Sequence, residues 1–235
     1  MKIDIAIMSA DDSCSYTQFW EPVSLVWNVK FGIRPKLIYF GDKELSTKYG
    51  DVVKVDPLDK IPLYFQSVWA RFWYTTLEPE LVHITSDIDM FPVSKKFFIN
   101  DLYQYSGDLY VHLRGAWRPL PACYHAAKGK VFKEVLSFPD TFKESCEEVF
   151  YSDCHSFFHN GNAKWGLDES YTTDKLLNSK NSKVVLMNRG LGGTTGRKVP
   201  GRNLEGIADY HSDRPYSSKR KNIDSFIIDN LLWDG

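Results

Sequence analysis

The feature that most constrains this chain is a short apolar run that ends in two closely spaced carboxylates. Residues 81–84 are apolar apart from one histidine and are followed by turn-forming residues, which predicts a buried strand. Asp87 and Asp89 come directly after it, with one residue between them. Side chains alternate across an extended chain, so an extended segment here would point both carboxylates to one side. Two hard oxygen ligands at the carboxyl end of a strand suit Mg²⁺ or Mn²⁺, and such a cation can hold a diphosphate.

Length, charge and hydropathy exclude several classes of protein. The 235 residues are enough for one α/β domain, and 43% hydrophobic and 15% aromatic residues permit a sizeable core. A net charge of −1 gives no general attraction to nucleic acid or to anionic membranes. No apolar run is long enough for a transmembrane helix, and Asp4 inside the first apolar stretch favours a strand over a signal peptide. We therefore expect a soluble protein of the cytoplasm or of a host cytosol.

The cysteines do not suggest a structural framework. None of the four pairs in a Cys-x-x-Cys motif, which disfavours a zinc knuckle, and a chain of this length does not need disulfides to fold. We expect reduced thiols at all four positions: Cys14, Cys123, Cys146 and Cys154.

The order of apolar runs indicates a doubly wound α/β sheet with a parallel core. Residues 3–8, 35–42, 52–55 and 81–84 are predicted strands, and residues 16–31 and 69–80 have helical spacing. Further along, residues 108–113 and 183–187 are predicted strands, and residues 129–138 and 223–233 are predicted helices. Residues 190–206 are predicted to be a loop, either a functional lid or a solvated connection. Ligands bind such sheets at the carboxyl ends of strands, where residues 9–12 and both aspartates should lie.

The segment before the two carboxylates points to a family. A helix that carries Arg71 is stopped near Pro79 and is followed by the strand and then by Asp87-Ile88-Asp89. This order resembles the GT-A fold glycosyltransferases, and among them the family-eight-like enzymes. The resemblance implies a single GT-A (Rossmann-like) α/β domain with a mixed, mainly parallel central sheet flanked by helices. It also implies that Asp87 and Asp89 hold Mn²⁺ or Mg²⁺, and that Arg71, Ser86 and Asp87 contact the donor.

A third metal ligand is implied near the carboxyl terminus. GT-A enzymes often supply a histidine there, and His211 is the candidate, with Asp209 as a substitute; an exposed loop histidine is the alternative. The pattern of a histidine followed by a basic residue, a proline and an aromatic resembles family eight, although Arg214 stands where lysine is usual and Tyr216 where tryptophan is usual. Arg214 could neutralise the leaving diphosphate. The basic residues beyond it belong either to this cluster or to a solvated tail: Lys219, Arg220 and Lys221.

The sequence Trp-Gly-x-Asp-Glu at residues 165–169 resembles the acidic acceptor-side segment of many GT-A enzymes. Asp168 is the expected general base, with Glu169 second. Residues implied on the acceptor side are Asn160, Trp165 and Gly166. Asp168 could instead be a helix N-cap. A base at Asp168 implies inversion at the sugar carbon, whereas family-eight enzymes retain configuration, and the residues do not separate these outcomes.

The loop after the first strand is the candidate site for the nucleotide. Carboxylates there can accept hydrogen bonds from uracil or ribose, and an aromatic ring can stack on the base. The candidates are Ser9, Ala10, Asp11 and Tyr16, with Asp12 beside them. The two aspartates could equally form a turn or an N-cap. A pyrimidine fits this set, so a UDP-sugar is the favoured donor.

We therefore expect a metal-dependent hexosyl- or pentosyltransferase of glycan or polysaccharide biosynthesis. Its expected partners are a nucleotide sugar and a carbohydrate acceptor, and nucleic acid is not expected as a partner. Residues 1–115 would form the nucleotide-binding half and residues 116–235 the acceptor-binding half. The chain is similar to small glycosyltransferase domains of bacterial surface-polysaccharide clusters and of large algal viruses. Two alternatives remain: a sugar nucleotidyltransferase, which the lack of glycine in residues 9–14 disfavours, and a non-catalytic carbohydrate-binding protein.

Overall fold

The computed structural model describes residues 1–115, 119–152, 166–178, 183–187, 207–212, 214 and 216–228. Its strands are β1 (Ile5–Asp11), β2 (Lys36–Phe40), β3 (Asp51–Lys54), β4 (Val82–Thr85), β5 (Met90–Pro92), β6 (Tyr110–His112), β7 (His125–Lys128), β8 (Val184–Leu186) and β9 (Asp209–His211). Its α-helices are α1 (Cys14–Thr17), α2 (Trp20–Leu25), α3 (Leu63–Trp73), α4 (Gly129–Leu136), α5 (Phe142–Phe150), α6 (Leu167–Asn178) and α7 (Tyr216–Phe226). Short π-helical turns occupy Val26–Lys30 and Lys96–Asn100, and a 3₁₀ turn, Tyr74–Leu77, follows α3.

A mixed central sheet organises the chain. Seven strands lie in the order β3-β2-β1-β4-β7-β6-β8. The first four are parallel to one another, β7 is antiparallel to both neighbours, and β8 is again parallel to β6. The predicted fold class, a mixed and mainly parallel sheet flanked by helices, is therefore confirmed. A separate two-stranded sheet pairs β5 with β9, so that Met90 lies opposite His211.

Two apolar layers cover the faces of the central sheet. Side chains alternate along β1, so Ala6 and Met8 join the layer that contains Trp27, whereas Ile7 joins the layer that contains Trp69 of α3. Helix α3 packs on β1 and β2, and α5 and α6 pack on α3 in turn. The strand ends that face the candidate ligand site are therefore held by a helix on one side of the sheet.

Several sequence predictions need correction in detail. The predicted helix at 16–31 is divided into α1, α2 and a π-helical turn, and Gly32 ends it with a left-handed φ of +67°. The predicted helix at 69–80 begins earlier, at Leu63, and its α-helical part ends at Trp73. The predicted helix at 223–233 begins at Tyr216 and is described as far as Phe226. The predicted loop at 190–206 lies outside the described residues.

Among the described strands and α-helices, four were missed: β5, β7, β9 and α5. Three of them are strands of only three or four residues, too short for a periodic pattern. Helix α5 did carry a signal, because Thr141 and Glu144 form a complete capping box at its start.

The two cysteines with described side chains are buried and form no disulfide. Cys146 is a free thiol whose pKa is raised by burial, and the Cys123 Sγ accepts a hydrogen bond from Arg114 Nη1 at 2.8 Å. The side chain of Cys14 and all of Cys154 lie outside the described residues. Within the part of the chain that the structure describes, no helix has the length and apolar character needed to cross a membrane.

Candidate active site

The two aspartates after β4 lie in a turn. The backbone N–H of Met90 donates to the carbonyl of Asp87 at 3.2 Å, and the turn redirects the chain from the central sheet into β5. The condition of an extended Asp87–Asp89 segment is therefore not met, because the chain leaves the sheet here to pair with β9. Both side chains nevertheless line one cavity.

This cavity has a volume of about 330 Å³ and lies at the carboxyl ends of β1 and β4. Five separate segments of the chain line it. Its residues are Ser9, Ala10, Asp11 and Tyr16 near β1, Tyr64, Phe65, Ser67, Val68 and Arg71 of α3, Asp87, Ile88 and Asp89 of the turn, Gly166, Asp168 and Glu169 at α6, and His211 and Arg214.

Most of the predicted site residues with described positions therefore meet in one place. Ser86, an expected donor contact, does not line the cavity. It is fully buried, its backbone N–H donates to the Ile7 carbonyl, and its hydroxyl donates to the Asp87 carbonyl. Asp209 is buried in β9 and does not line the cavity, so it is not placed to replace His211. Asn160 and Trp165 lie outside the described residues.

Arg71 is the buried cation at the centre of the site. Its Nη1 donates to Asp87 Oδ1, its Nη2 lies 3.6 Å from Asp168 Oδ2, and its side chain is only 7% exposed. Burial alone would lower the pKa of Arg71, but the charges of Asp87 and Asp168 outweigh burial and raise it. Burial likewise tends to raise the pKa of Asp87, but Arg71, with a smaller contribution from His211, brings it below its usual value. The Arg71–Asp87 pair therefore stays ionised.

Asp168 and Glu169 are in the first turn of α6. Asp168 is the second helical residue and its carbonyl accepts from Thr172 Oγ1 at 2.8 Å, so the N-cap interpretation is wrong. Burial raises the pKa of Asp168, although Arg71 opposes the shift. Burial and then the Asp168 charge raise the pKa of Glu169 to about 7. Glu169 Oε1 accepts the backbone N–H of Ala122 at 3.1 Å, which ties α6 to the loop before β7.

The β5–β9 pairing brings the carboxyl-terminal part of the chain to Asp89. His211 Nε2 lies 3.3 Å from Asp89 Oδ2, and Arg214 Nε lies 3.2 Å from the same oxygen. The backbone N–H of Ser212 also donates to the Asp89 carbonyl at 2.8 Å. Asp89 itself is 3% exposed, so its carboxylate meets these two side chains in a nearly dry environment.

Arg214 also contacts the loop after β1. Its Nη1 donates to the Tyr16 hydroxyl, and its guanidinium carbon lies 4.8 Å from the centre of the Tyr16 ring. Burial raises the pKa of Tyr16, and the Arg214 charge opposes that shift. The sequence indicated Tyr16 and Arg214 separately as donor contacts, and it gave no sign that they touch each other.

In the loop after β1, some of the remaining residues line the cavity and others only make contacts within the fold. Ser9 Oγ is buried and has no hydrogen-bond partner among the described residues. Asp11 lines the cavity but also accepts from the Ser13 backbone N–H at 3.0 Å, which is the turn that was its alternative role. Asp12 does not line the cavity. The Tyr39 hydroxyl donates to its carboxylate instead, and Lys43 Nζ lies 3.3 Å away.

Two of the basic residues beyond Arg214, Arg220 and Lys221, do not line the cavity. Arg220 Nε pairs with Asp224 at 3.3 Å on the exposed face of α7, and Lys221 is exposed. The Tyr216 hydroxyl also donates to Asp224, and its ring packs on Phe19 with centres 5.3 Å apart. The side chain of Lys219 lies outside the described residues.

Four residues of α3 were missed by sequence reasoning. Tyr64, Phe65, Ser67 and Val68 line the cavity together with Arg71, on one side of the helix. The predicted helix began at residue 69, after these positions. Pro62 directly before the first helical residue was the available signal for the earlier start.

The side chains of Asp87, Asp89 and His211 are of the chemical types that bind a divalent cation. Two carboxylates and one imidazole are acceptable ligands for Mn²⁺, and Asp89 and His211 already converge. Over the described ranges, however, no three His, Cys, Asp or Glu side chains form a complete ligand cluster. Asp87 instead faces Arg71. A cation held by Asp89 and His211 would need Asp87, water or ligand oxygens to complete its coordination.

Comparisons with known proteins concern the fold. No protein-family model and no curated protein sequence matches the chain. Two solved structures of LgtC, an active-site mutant and the galactosyltransferase in complex with donor and acceptor sugar analogues, are each 14% identical over 97% of this chain and 96% of theirs, with TM-scores of 0.59 and 0.58. A glycosyltransferase involved in glycosylation of the major capsid of PBCV-1 is 10% identical over 95% of this chain and 100% of its own, with a TM-score of 0.54. The expected resemblance is therefore confirmed, and the chain has the GT-A fold of these glycosyltransferases.

Proposed function

We propose that this protein is a glycosyltransferase that moves a hexosyl or pentosyl group from a nucleoside-diphosphate sugar, with uridine favoured, to a hydroxyl of a glycan acceptor. The observation that carries this proposal is the single cavity in which the β1 loop, the Asp87–Asp89 turn, Asp168 and Arg214 meet. Its volume of about 330 Å³ is in the range of small-molecule sites. The GT-A fold of LgtC and of the capsid-modifying enzyme of PBCV-1 supports the same reaction class.

In this proposal the β1 loop binds the nucleoside. Ser9 Oγ, buried without a partner among the described residues, is free to donate to or accept from the ligand. The second oxygen of Asp11 can accept from a uracil N3–H or a ribose hydroxyl. Residues 1–115 would then be the nucleotide-binding half and residues 116–235 the acceptor-binding half, although His211 and Arg214 from the second half line the same cavity.

The Asp87–Asp89 turn would hold the diphosphate through Mn²⁺ or Mg²⁺. Asp89 and His211 are the proposed inner pair of ligands, because they already converge at 3.3 Å, and Asp87 is the third. A bound cation would neutralise charge on the diphosphate as it leaves. Arg214, which lies beside Asp89, would add a second positive charge, since a guanidinium can bind phosphate oxygens through two N–H groups.

Asp168 is the proposed general base for the acceptor hydroxyl. Arg71 keeps its carboxylate oriented toward the cavity, and burial raises its pKa, as a base working near neutral pH requires. Glu169 is better suited to supporting this group, because one of its oxygens is engaged by the backbone of Ala122. Gly166 lies beside them on the proposed acceptor side, where it has a left-handed φ of +78°.

A thermal-shift panel tests the donor assignment. UDP, GDP, CDP and dTDP are each titrated in the presence and absence of Mn²⁺, with Asp89→Asn as the site variant and the surface variant Arg34→Gln as the control. We expect UDP with Mn²⁺ to stabilise the wild type and the control, by about 2.7 kcal/mol at a hundred times Kd, but not Asp89→Asn. Absence of a shift with every diphosphate would contradict the proposal.

A product assay then separates the reaction classes. With a UDP-sugar and a hydroxyl acceptor, a glycosyltransferase releases UDP and glycosylated acceptor. A sugar nucleotidyltransferase would release pyrophosphate from a nucleoside triphosphate, and a carbohydrate-binding protein would release neither. We expect UDP and glycosylated acceptor, without pyrophosphate.

A further inference from the structure

Each aspartate of the candidate metal site already has an arginine as its counter-ion. Arg71 contacts Asp87, and Arg214 Nε lies 3.2 Å from Asp89 Oδ2. These two guanidinium groups differ in how firmly they are held. Arg71 is 7% exposed, belongs to α3 and has a second carboxylate partner in Asp168. Arg214 is 27% exposed, follows β9, and is otherwise held by the hydroxyl and ring of Tyr16.

We propose that Arg214 is an exchangeable counter-ion of Asp89. In the ligand-free protein it neutralises this carboxylate, and it leaves Asp89 for the diphosphate when a divalent cation takes the same oxygen. This inference rests on the proposed function. It adds to diphosphate binding a second role for Arg214, which is to set the affinity of the site for the metal.

The exchange follows from the geometry around one oxygen atom. A divalent cation binds a carboxylate oxygen at about 2.0–2.2 Å, so a guanidinium nitrogen 3.2 Å from that oxygen would lie beside the cation. Like charges so close together repel strongly in a site with Asp89 only 3% exposed. Arg214 therefore has to move. Arg71 is also held by Asp168 and contacts Oδ1 of Asp87, so the second Asp87 oxygen can serve the cation while Arg71 stays in place.

Tyr16 keeps the displaced side chain in the cavity. A cation–π contact restricts the guanidinium to the ring face but not to one hydrogen-bonding direction, so Arg214 can turn its N–H groups from Asp89 toward a phosphate. The nucleotide would bind against the β1 loop that carries Tyr16. The metal frees the Arg214 guanidinium from Asp89, and the diphosphate then gives it a new partner. Each ligand therefore raises the affinity for the other.

Direct Mn²⁺ binding tests this exchange without turnover. Free Mn²⁺ is measured by electron paramagnetic resonance during titration of the wild type, Arg214→Gln and the control Arg220→Gln, whose arginine pairs with Asp224 away from the cavity. UDP is then titrated calorimetrically at saturating Mn²⁺. We expect Arg214→Gln to bind Mn²⁺ alone about 5-fold or more tightly than the wild type, and to bind UDP with Mn²⁺ about 10-fold more weakly, within the usual range of coupling between sites. Arg220→Gln should match the wild type in both titrations.

The opposite signs distinguish exchange from damage to the fold. A variant that merely misfolds binds both Mn²⁺ and UDP more weakly, and its unfolding temperature falls. Equal or weaker binding of Mn²⁺ alone by folded Arg214→Gln overturns the inference, as does absence of Mn²⁺ binding in every protein. Mn²⁺ binding to the variant but not to the wild type supports it. Failure of UDP to bind any of the three proteins contradicts the uridine donor of the proposed function, and the titrations with metal alone still decide the exchange.

Discussion

Removing the charge of Glu169 should stabilise the protein in a pH-dependent way. This residue is partly buried in the first turn of α6, and its Oε1 accepts the Ala122 N–H at 3.1 Å. Burial, with the charge of Asp168, raises its pKa from the ordinary 4.5 to about 7. Glutamine keeps an oxygen that can accept the same hydrogen bond and removes the buried charge. Glu169→Gln therefore isolates the cost of ionisation at this position.

The size and sign of the effect follow from the pKa difference. The native state binds the Glu169 proton more tightly than the unfolded chain does, so wild-type stability falls as pH rises from about 4.5 through about 7. One pKa unit corresponds to about 1.36 kcal/mol, so a shift from 4.5 to about 7 makes the cost at most about 3.5 kcal/mol above this window. Because the same pKa includes repulsion from Asp168, we expect about 1–3 kcal/mol of stabilisation by Glu169→Gln at pH 8, and much less at pH 4.5.

Urea unfolding at pH 4.5 and pH 8 measures this difference, with Glu147→Gln as the matched control. Glu147 is on the exposed face of α5 and lies 3.9 Å from Lys143, so its substitution should change stability by less than about 0.5 kcal/mol at either pH. The same stability change in Glu169→Gln at both pH values would refute the argument. Destabilisation at pH 8 alone would show that the ionised form is the one that the fold requires.

Other substitutions test the proposed chemistry and the packing. Asp87→Asn and Asp89→Asn should each reduce sugar transfer to below detection while far-UV circular dichroism remains that of the wild type; transfer at wild-type rates in the double variant would contradict the metal assignment. Asp168→Asn should reduce turnover by about 10²–10⁴-fold with little change in UDP affinity, measured by steady-state kinetics and calorimetry, if it is the general base. Gly129→Ala should destabilise the fold by about 1–3 kcal/mol or more in urea unfolding, since its Cβ would lie 2.1 Å from the Thr75 carbonyl oxygen.

The amino-acid sequence was sufficient where a signal was local. The apolar runs that form β1, β2 and β4 are bounded by turn residues, and the carboxyl ends of parallel strands share one edge of a sheet. That rule alone predicts that the Ser9 loop and Asp87 lie at the same site. It does not require the segment after β4 to stay extended. These residues do meet at one cavity, although Asp87–Asp89 forms a turn and is not extended.

Long-range pairing was beyond local patterns. His211 reaches Asp89 because β9 pairs with β5, and each of these strands has only three residues, too few to show alternation. The Tyr16–Arg214 contact joins positions 198 residues apart, and neither residue carries a signal for the other. The β5–β9 pairing therefore decides whether an ordinary pair of acidic residues has a histidine and an arginine beside it.

Arg71 explains why the order of helix, strand and acidic turn is informative when the acidic pair alone is not. Helix α3 packs on β1 and places this arginine between Asp87 and Asp168, so one buried cation compensates carboxylates from two separate segments. Removing it would leave both carboxylates with an uncompensated desolvation cost, which is strongly destabilising in buried ion pairs. Loss of activity in an Arg71 variant would thus report the fold and the chemistry together. Isosteric changes at Asp89 and Asp168 remove one charge while the Arg71–Asp87 contact remains, and they are the variants that separate metal binding from acceptor activation.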